Sequence, residues 1–214
     1  MICYLIISES KLLFFSSAEI LYGRSSVIEN VEKKYNISRN TIAIVAGLIA
    51  LNKYSGKNEI LTNWIYDNRT TKNSANYVGL MIKTLPVGVY FDKISSFSEL
   101  IDEVKKQVND GIQNSDYDYF VEYESALNTD CMEVNFVGNV NFNVFGQRLK
   151  YKPIYLEKKD TNATARLEID LWVENNSEIS VKATYRAKIY KEENINRFLN
   201  MYIEAFKQIV KGEI

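Results

Sequence analysis

Residues 40–54 read NTIAIVAGLIALNKY, and this apolar stretch decides how the rest of the chain is arranged. It is longer than a typical strand and rich in alanine, which favours a helix. A helix that is apolar on every side is buried. Ser38 is a candidate N-cap, with Asn40 as the alternative, and Gly56 is a candidate C-terminal stop. We therefore predict a buried helix over residues 40–54.

Three further segments have apolar residues at helical spacing, which predicts amphipathic helices. Ser96 followed by Glu99 fits a capping box at the start of one of them. The predicted helices cover residues 24–35, 96–113 and 192–210.

The remaining patterned segments have the period or the composition of strands. Residues 175–177, Asn-Asn-Ser, indicate a hairpin turn between the last two strands, and residues 77–92 predict two strands separated by a proline. The other predicted strands cover residues 2–7, 59–66, 166–174 and 179–186, and residues 132–146 predict one or two more. Together, the elements predict one α/β (α+β) domain over residues 1–214, in which helices cover one side of a mixed sheet.

Composition excludes several classes of function. The chain has 26 basic and 27 acidic residues and a net charge of −1, which indicates neither nucleic acid nor a membrane surface as a partner. No segment is long and apolar enough to span a bilayer, and no signal peptide is visible. Cys3 and Cys131 are far apart and indicate reduced thiols. We expect a cytoplasmic protein.

The chain contains no histidine. Histidine is the commonest general base in acyl transfer and a common metal ligand. Its absence removes Ser-His-Asp, Cys-His and His-metal chemistry, and we predict no metal ligand in this chain. Carboxylate and lysine chemistry remain open.

Four segments carry recognisable patterns in order. The buried helix ends in Tyr54-Ser55-Gly56, and the strand after it is followed by Arg69. The next two patterns are YVGLMIKTLP (residues 77–86) and DYDY (residues 116–119). The last is LEIDLWV followed by ATYRAKIY and the C-terminal helix (residues 167–210).

In this order the segments resemble the carboxy-terminal half of the condensation domain of nonribosomal peptide synthetases, in the chloramphenicol acetyltransferase-like superfamily. The resemblance implies one lobe of a two-lobed domain. The family's catalytic signature, H-H-x-x-x-D-G, lies in the other, amino-terminal lobe, so the resemblance implies no catalytic residue in this chain. Five positions depart from the family pattern. Lys83 replaces asparagine, Gly88 replaces arginine, Asp118 replaces proline, and Met81 and Tyr190 each replace phenylalanine.

The resemblance also implies partners. The lobe would form one wall of a tunnel in which the phosphopantetheine arms of two carrier proteins meet. The expected partners are an amino-terminal condensation lobe and peptidyl or acyl carrier proteins. No cofactor would be bound by the chain itself, because the thioesters are carried by those partners.

Four residues are candidate contacts with the tunnel or with a carrier: Arg69, Lys83, Thr84 and Trp64. For three of these residues, a structural role is the alternative to a functional one. Arg69 also suits a brace for its loop, Lys83 suits a lysine that reaches the surface from a half-exposed strand, and Trp64 suits the core.

Three hypotheses of function follow. The first is a condensation lobe that takes part in peptide-bond formation and is inactive by itself. The second is a catalytically silent module that binds carrier proteins. The third is a freestanding acyltransferase that uses lysine or carboxylate chemistry. A composition rich in Asn, Ile, Lys and Tyr suggests a bacterial source.

Overall fold

The structure, a computed structural model, describes ten segments of the chain. They are residues 6–8, 26–69, 79–117, 132–138, 143–144, 147–148, 154–156, 167–174, 178–185 and 189–212. Cys3, Cys131 and Asp118 lie outside them, as do residues 175–177 of the expected hairpin turn.

Four α-helices lie at or near the positions that the apolar periodicity predicts. They are α1 (Ser26–Tyr35), α2 (Arg39–Ser55), α3 (Phe97–Gln113) and α4 (Glu192–Lys211). The Thr41 amide donates to the Ser38 hydroxyl at 3.1 Å, so Ser38, not Asn40, is the N-cap of α2. Gly56 ends α2 with φ of 67°, a left-handed conformation that favours glycine.

The strands form one five-stranded sheet and two small pairs. The sheet strands are β2 (Glu59–Tyr66), β3 (Lys83–Tyr90), β4 (Met132–Gly138), β8 (Leu167–Glu174) and β9 (Glu178–Tyr185). The pairs join β1 (Ile6–Ser8) with β7 (Ile154–Leu156), and β5 (Asn143–Val144) with β6 (Gln147–Arg148).

The five-stranded sheet is mixed, in the order β3-β2-β4-β8-β9. The two inner pairings, β2 with β4 and β4 with β8, are parallel. The two outer pairings, β2 with β3 and β8 with β9, are antiparallel. The prediction of a mixed sheet is therefore confirmed.

Alternate residues of each sheet strand are buried against the helices. α2 packs on β2 and β4, α3 packs on β3, and α4 contacts β9 and lies along α2. The buried apolar side chains of the sheet are Ile60, Trp64, Leu85, Val87, Val89, Met132, Val134, Leu167, Ile169, Leu171, Ile179, Val181 and Ala183. All ten residues from Thr41 to Ala50 of α2 are buried, which confirms that this helix is internal.

The expectation of two strands in residues 77–92 is wrong for the described part, residues 79–92. One strand, β3, runs through Pro86, and the 3₁₀ turn Phe91–Lys93 follows it. The proline is tolerated because β3 is the last strand of its sheet, where a missing N–H does not break the pairing with β2.

The edge of β3 is covered by a side chain of α3. Gln107 donates from Nε2 to the Gly88 carbonyl at 2.7 Å and accepts from the Gly88 amide at Oε1, at 2.9 Å. Exposed edge groups favour pairing with another chain. Gln107 therefore occupies backbone groups of β3 that would otherwise be open to a second strand.

Gly47 lets α2 approach the sheet closely. A Cβ atom at this position would lie 2.9 Å from the Met132 Cε and 3.2 Å from a Val134 methyl. At Gly111 of α3, by contrast, an added Cβ would make only ordinary contacts with Leu85, at 3.6 Å or more.

We predict opposite effects of substitution at these two helical glycines. Gly47→Val is expected to lower the free energy of unfolding by about 1–3 kcal/mol through overpacking. Gly111→Ala is expected to raise it by about 0.5–1 kcal/mol, because alanine favours a helix interior over glycine. Urea unfolding of both variants is the measurement. Equal effects would contradict the close packing of α2.

We also predict that Gln107 keeps the edge of β3 from pairing with other chains. Gln107→Ala is expected to cost about 1 kcal/mol of stability and to increase self-association in light scattering. The control is Gln113→Ala at the exposed end of the same helix. If the Gln107 variant stays as stable and as monodisperse as this control, the protective role of the side chain is wrong.

Candidate functional site

The sheet has a second face, opposite the face that packs on the helices. On β2, β3 and β4 this second face carries Leu61, Asn63, Ile65, Thr84, Pro86, Gly88, Glu133 and Asn135, which alternate with the core residues. Asn63 and Glu133 are only 5% and 8% exposed. Burial of a carboxyl is costly unless the group is paired, which makes Glu133 the candidate functional group of this face.

Glu133 lies at the centre of the second face. It follows Met132 in β4, the middle strand of the sheet, and is in register with Asn63 of β2. The Thr84 hydroxyl of β3 donates to its Oε1 at 3.1 Å. The carboxyl group of Glu133 therefore extends across β2 and is held by Thr84 of β3.

Burial raises the pKa of the Glu133 carboxyl, and the hydrogen bond from Thr84 opposes this by lowering it. Removal of a carboxylate from water disfavours the charged form. The group thus binds its proton more tightly in the folded protein than in the unfolded chain.

The candidate residues Lys83 and Thr84 are neighbours in sequence but lie on opposite faces of β3. Lys83 is paired in register with Tyr66 and shares the helical face with Leu85, where it is half-buried at the start of the strand. Thr84 lies on the second face with Glu133. The structure therefore places one of these candidates beside the buried carboxyl and the other away from it.

Arg69 follows β2 and holds the segment that leads into β3. Its Nη2 donates to the Gly79 carbonyl at 3.0 Å, and its Nε lies 3.2 Å from Asp67 Oδ1. Its Nη1 is 3.5 Å from the Met81 sulfur. This set of contacts agrees with the structural alternative for Arg69, a brace for its loop.

Trp64 is 2% exposed and lies in the core, on the helical face of β2. Its ring centroid is 5.7 Å from that of Tyr66. This placement agrees with the core alternative for Trp64. Among the four candidates, the structure brings only Thr84 onto the second face with Glu133.

Sequence reasoning did not single out Glu133. The alternation M-E-V-N-F over residues 132–136 does place it on the polar side of a predicted strand. Glu133 is paired in register with Asn63 of β2 and accepts a hydrogen bond from Thr84 of β3, and both are long-range contacts. No local pattern carries that information.

A shallow groove of about 570 Å³ lies elsewhere, at the end of α2 and along α4. It contains none of the four candidate residues. Its lining residues are Lys53, Glu193, Asn196, Arg197, Asn200, Met201 and Glu204.

In the described part of the chain, no helix is long and apolar enough to cross a membrane. The same residues include no group of three or more His, Cys, Asp or Glu side chains placed to hold a metal ion.

Comparison with known proteins assigns the fold just described. The model of the family described as "Condensation domain" matches residues 21–212, nearly the whole chain. The chain belongs to the condensation domain family. The expectation from the four sequence patterns is thereby confirmed at the level of the family.

Curated relatives of this condensation-domain chain are large synthetases. Gramicidin S synthase 2 of Brevibacillus brevis is 22% identical over 214 residues, covering 92% of this chain and 5% of that protein. Tyrocidine synthase 3 of Brevibacillus parabrevis is 21% identical over 196 residues, covering 88% of this chain and 3% of that protein. The chain thus corresponds to a small part of each relative.

Solved structures of similar fold include two domains of peptide synthetases. One is the epimerization domain from the third module of tyrocidine synthetase B, with a TM-score of 0.68 at 14% identity, covering 94% of this chain and 47% of that one. The other is the first condensation domain of the calcium-dependent antibiotic synthetase, with a TM-score of 0.68 at 13% identity. That match covers 87% of this chain and 42% of that one. The chain therefore spans less than half of each.

We predict that Glu133 makes stability depend on pH. Because the folded pKa is raised above its ordinary value of 4.5, the contribution of Glu133 to the free energy of unfolding should fall as pH rises from 4.5 through the folded pKa, and then stay level. Glu133→Gln removes this titration. In urea unfolding from about pH 4 to about pH 8, the wild type should lose stability relative to this variant.

The matched control for that experiment is Glu193→Gln, at an exposed position in α4. It should keep the pH dependence of the wild type. If the Glu133 variant and the wild type show parallel curves across this range, the carboxyl of Glu133 does not titrate as its burial requires.

Proposed function

We propose that this chain is the carboxy-terminal lobe of a nonribosomal peptide synthetase condensation domain. In this role it contributes to peptide-bond formation between thioesters carried by carrier proteins. The catalytic histidine motif is supplied by an amino-terminal lobe. The observation that carries the proposal is the family match over residues 21–212 in a chain that contains no histidine.

The coverage of related structures supports a half-domain. The chain spans 47% of the epimerization domain and 42% of the condensation domain to which it is similar. The order of its sequence patterns is that of the carboxy-terminal half. We therefore expect the other half of a tunnel to come from an amino-terminal lobe.

The surface around the second face suits such a role. Leu80, just before β3, is 88% exposed, and Ile82 is also exposed. Leu61, on the second face of β2, is exposed as well. Leu61 is two residues before Asn63 on the same face of β2, and Leu80 and Ile82 precede Thr84 in the chain. A face with a polar centre and exposed apolar neighbours fits a wall that another protein surface covers.

The contribution of such a lobe is positioning. Orientation of two bound reactants supplies about 7–11 kcal/mol in favourable systems, without any group of the lobe that forms a bond. In the proposed tunnel, Thr84 lies on the wall. Arg69 fixes the loop that precedes β3, Lys83 lies at the rim of that strand, and Trp64 supports the wall from the core. The thioesters arrive on the phosphopantetheine arms of the carriers, and we propose a cytoplasmic location.

A second candidate is a catalytically silent module that binds carrier proteins. The departures at Lys83 and Gly88 from the family pattern favour it. Both candidates predict carrier binding, and they differ in whether a histidine-bearing lobe restores turnover.

Reconstitution tests the proposal. The chain is mixed with two aminoacyl carrier proteins, alone and together with an amino-terminal lobe that bears H-H-x-x-x-D-G, and the dipeptidyl carrier is measured by mass spectrometry. We expect no product from the chain alone, and product when both lobes are present. Thr84→Val should lower the yield, whereas the control Asp116→Asn, in an exposed turn, should not.

The outcomes separate the hypotheses. Efficient amide formation by the chain alone would refute the lobe hypothesis and support a freestanding acyltransferase. Binding of both carriers without product, even with the second lobe, would favour the silent module. Absence of carrier binding would refute both the lobe and the module.

A further inference from the structure

Glu133 is a buried carboxyl for which the described part of the chain supplies no positive partner. The ion pairs that the structure gives Arg39, Arg69 and Lys191 are made with other carboxylates, and none of these four pairs includes Glu133. Its carboxyl accepts a hydrogen bond from the Thr84 hydroxyl, which is neutral. Buried carboxylates are ordinarily paired, so this one is chemically incomplete.

The carboxyl is also held rigidly. β4 is the central strand of the sheet and is paired on both sides, with β2 and with β8. Thr84 fixes Oε1 from a third strand at 3.1 Å. A group that is oriented before binding loses little freedom when a ligand arrives, which favours affinity and selectivity.

We propose that Glu133 and Thr84 form a binding site for a cationic side chain of the aminoacyl group that a carrier presents to the second face. The proposal rests on the proposed function, because the aminoacyl group would reach this face on a phosphopantetheine arm. An ammonium or guanidinium group would supply the missing charge, and Asn63, in register beside Glu133, keeps this part of the face polar.

The reacting α-amine fits this site less well than a side chain does. An amine attacks a thioester only in its unprotonated form, and a carboxylate next to it favours the ammonium. A lysine-like or arginine-like side chain stays charged throughout the reaction. The site therefore selects the substrate and takes no part in bond formation, which makes Glu133 a specificity-determining residue.

Stable pantetheine amides of lysine and norleucine test this proposal, because the two side chains differ in the ammonium group and are similar in size. Each is titrated into the complete 214-residue chain by calorimetry. We expect the lysyl compound to bind at least about tenfold more tightly, as for a charged hydrogen bond.

N-acetylated forms of both compounds imitate the peptidyl side of the reaction, and whichever pair shows the larger preference identifies the arm that uses the site.

Two variants assign the preference to the site. Glu133→Gln should reduce it to less than about twofold, and Thr84→Val should weaken lysyl binding severalfold, because the carboxyl then loses its orientation. Glu193→Gln, on α4, should keep the full preference. Circular dichroism confirms that each variant is folded before it is titrated.

Failure of this inference is distinct from failure of the proposed function. Equal affinity of the wild type for the lysyl and norleucyl compounds overturns the cationic site, while their binding would still support a role with pantetheine-borne substrates. A preference for lysine that survives in Glu133→Gln also overturns it. If no compound binds, the cationic site is refuted, and reconstitution with carrier proteins decides the proposed function by itself.

Discussion

The close contact between α2 and β4 at Gly47 is the constraint on which the rest of the structure depends. A side chain at this position would meet Met132 and Val134, so the helix lies directly on the middle strand of the sheet. The Tyr202 ring of α4 lies 3.6 Å from the same position, and its hydroxyl donates to the Ala43 carbonyl at 3.0 Å within the core. α2 is thus packed against both the sheet and α4, and this burial explains why its sequence is apolar throughout.

The position of β4 in turn determines the chemistry of the second face. Because β4 pairs in parallel with β2, Glu133 lies in register with Asn63, and Thr84 reaches it from the antiparallel neighbour β3. The hydroxyl of Thr62 donates to the Met132 carbonyl at 2.8 Å and strengthens the join between β2 and β4. The polar set of the second face is therefore a consequence of strand order, and it involves residues up to 70 positions apart in the chain.

Local patterns predicted most of the helices and strands, because each carries its own signal. The apolar run of α2, the Ser96 cap and the alternation of β8 and β9 act within a few residues. Two features were missed, and both depend on tertiary context. Pro86 suggested a break in the strand because nothing local shows that β3 lies at an edge. Glu133 has no local signal, because its neighbour Asn63 and its hydrogen-bond partner Thr84 lie on other strands. The family resemblance supplied Thr84, whereas the same argument also selected Trp64, whose place is in the core.

The two faces of the sheet thus have different roles. The helical face is closed by apolar packing and gives the sheet its rigidity, and Trp64 belongs to that part. The second face holds a fixed, buried carboxyl and the exposed side chain of Leu61, and Leu80 and Ile82, which are also exposed, come just before β3. Burial of a carboxyl without a positive partner is costly, and nothing in the packing of the helices requires it. Glu133 contributes little to the core. Its position is therefore explained by the groups that contact the second face, which in the proposed two-lobed arrangement are the substrate and the opposite lobe.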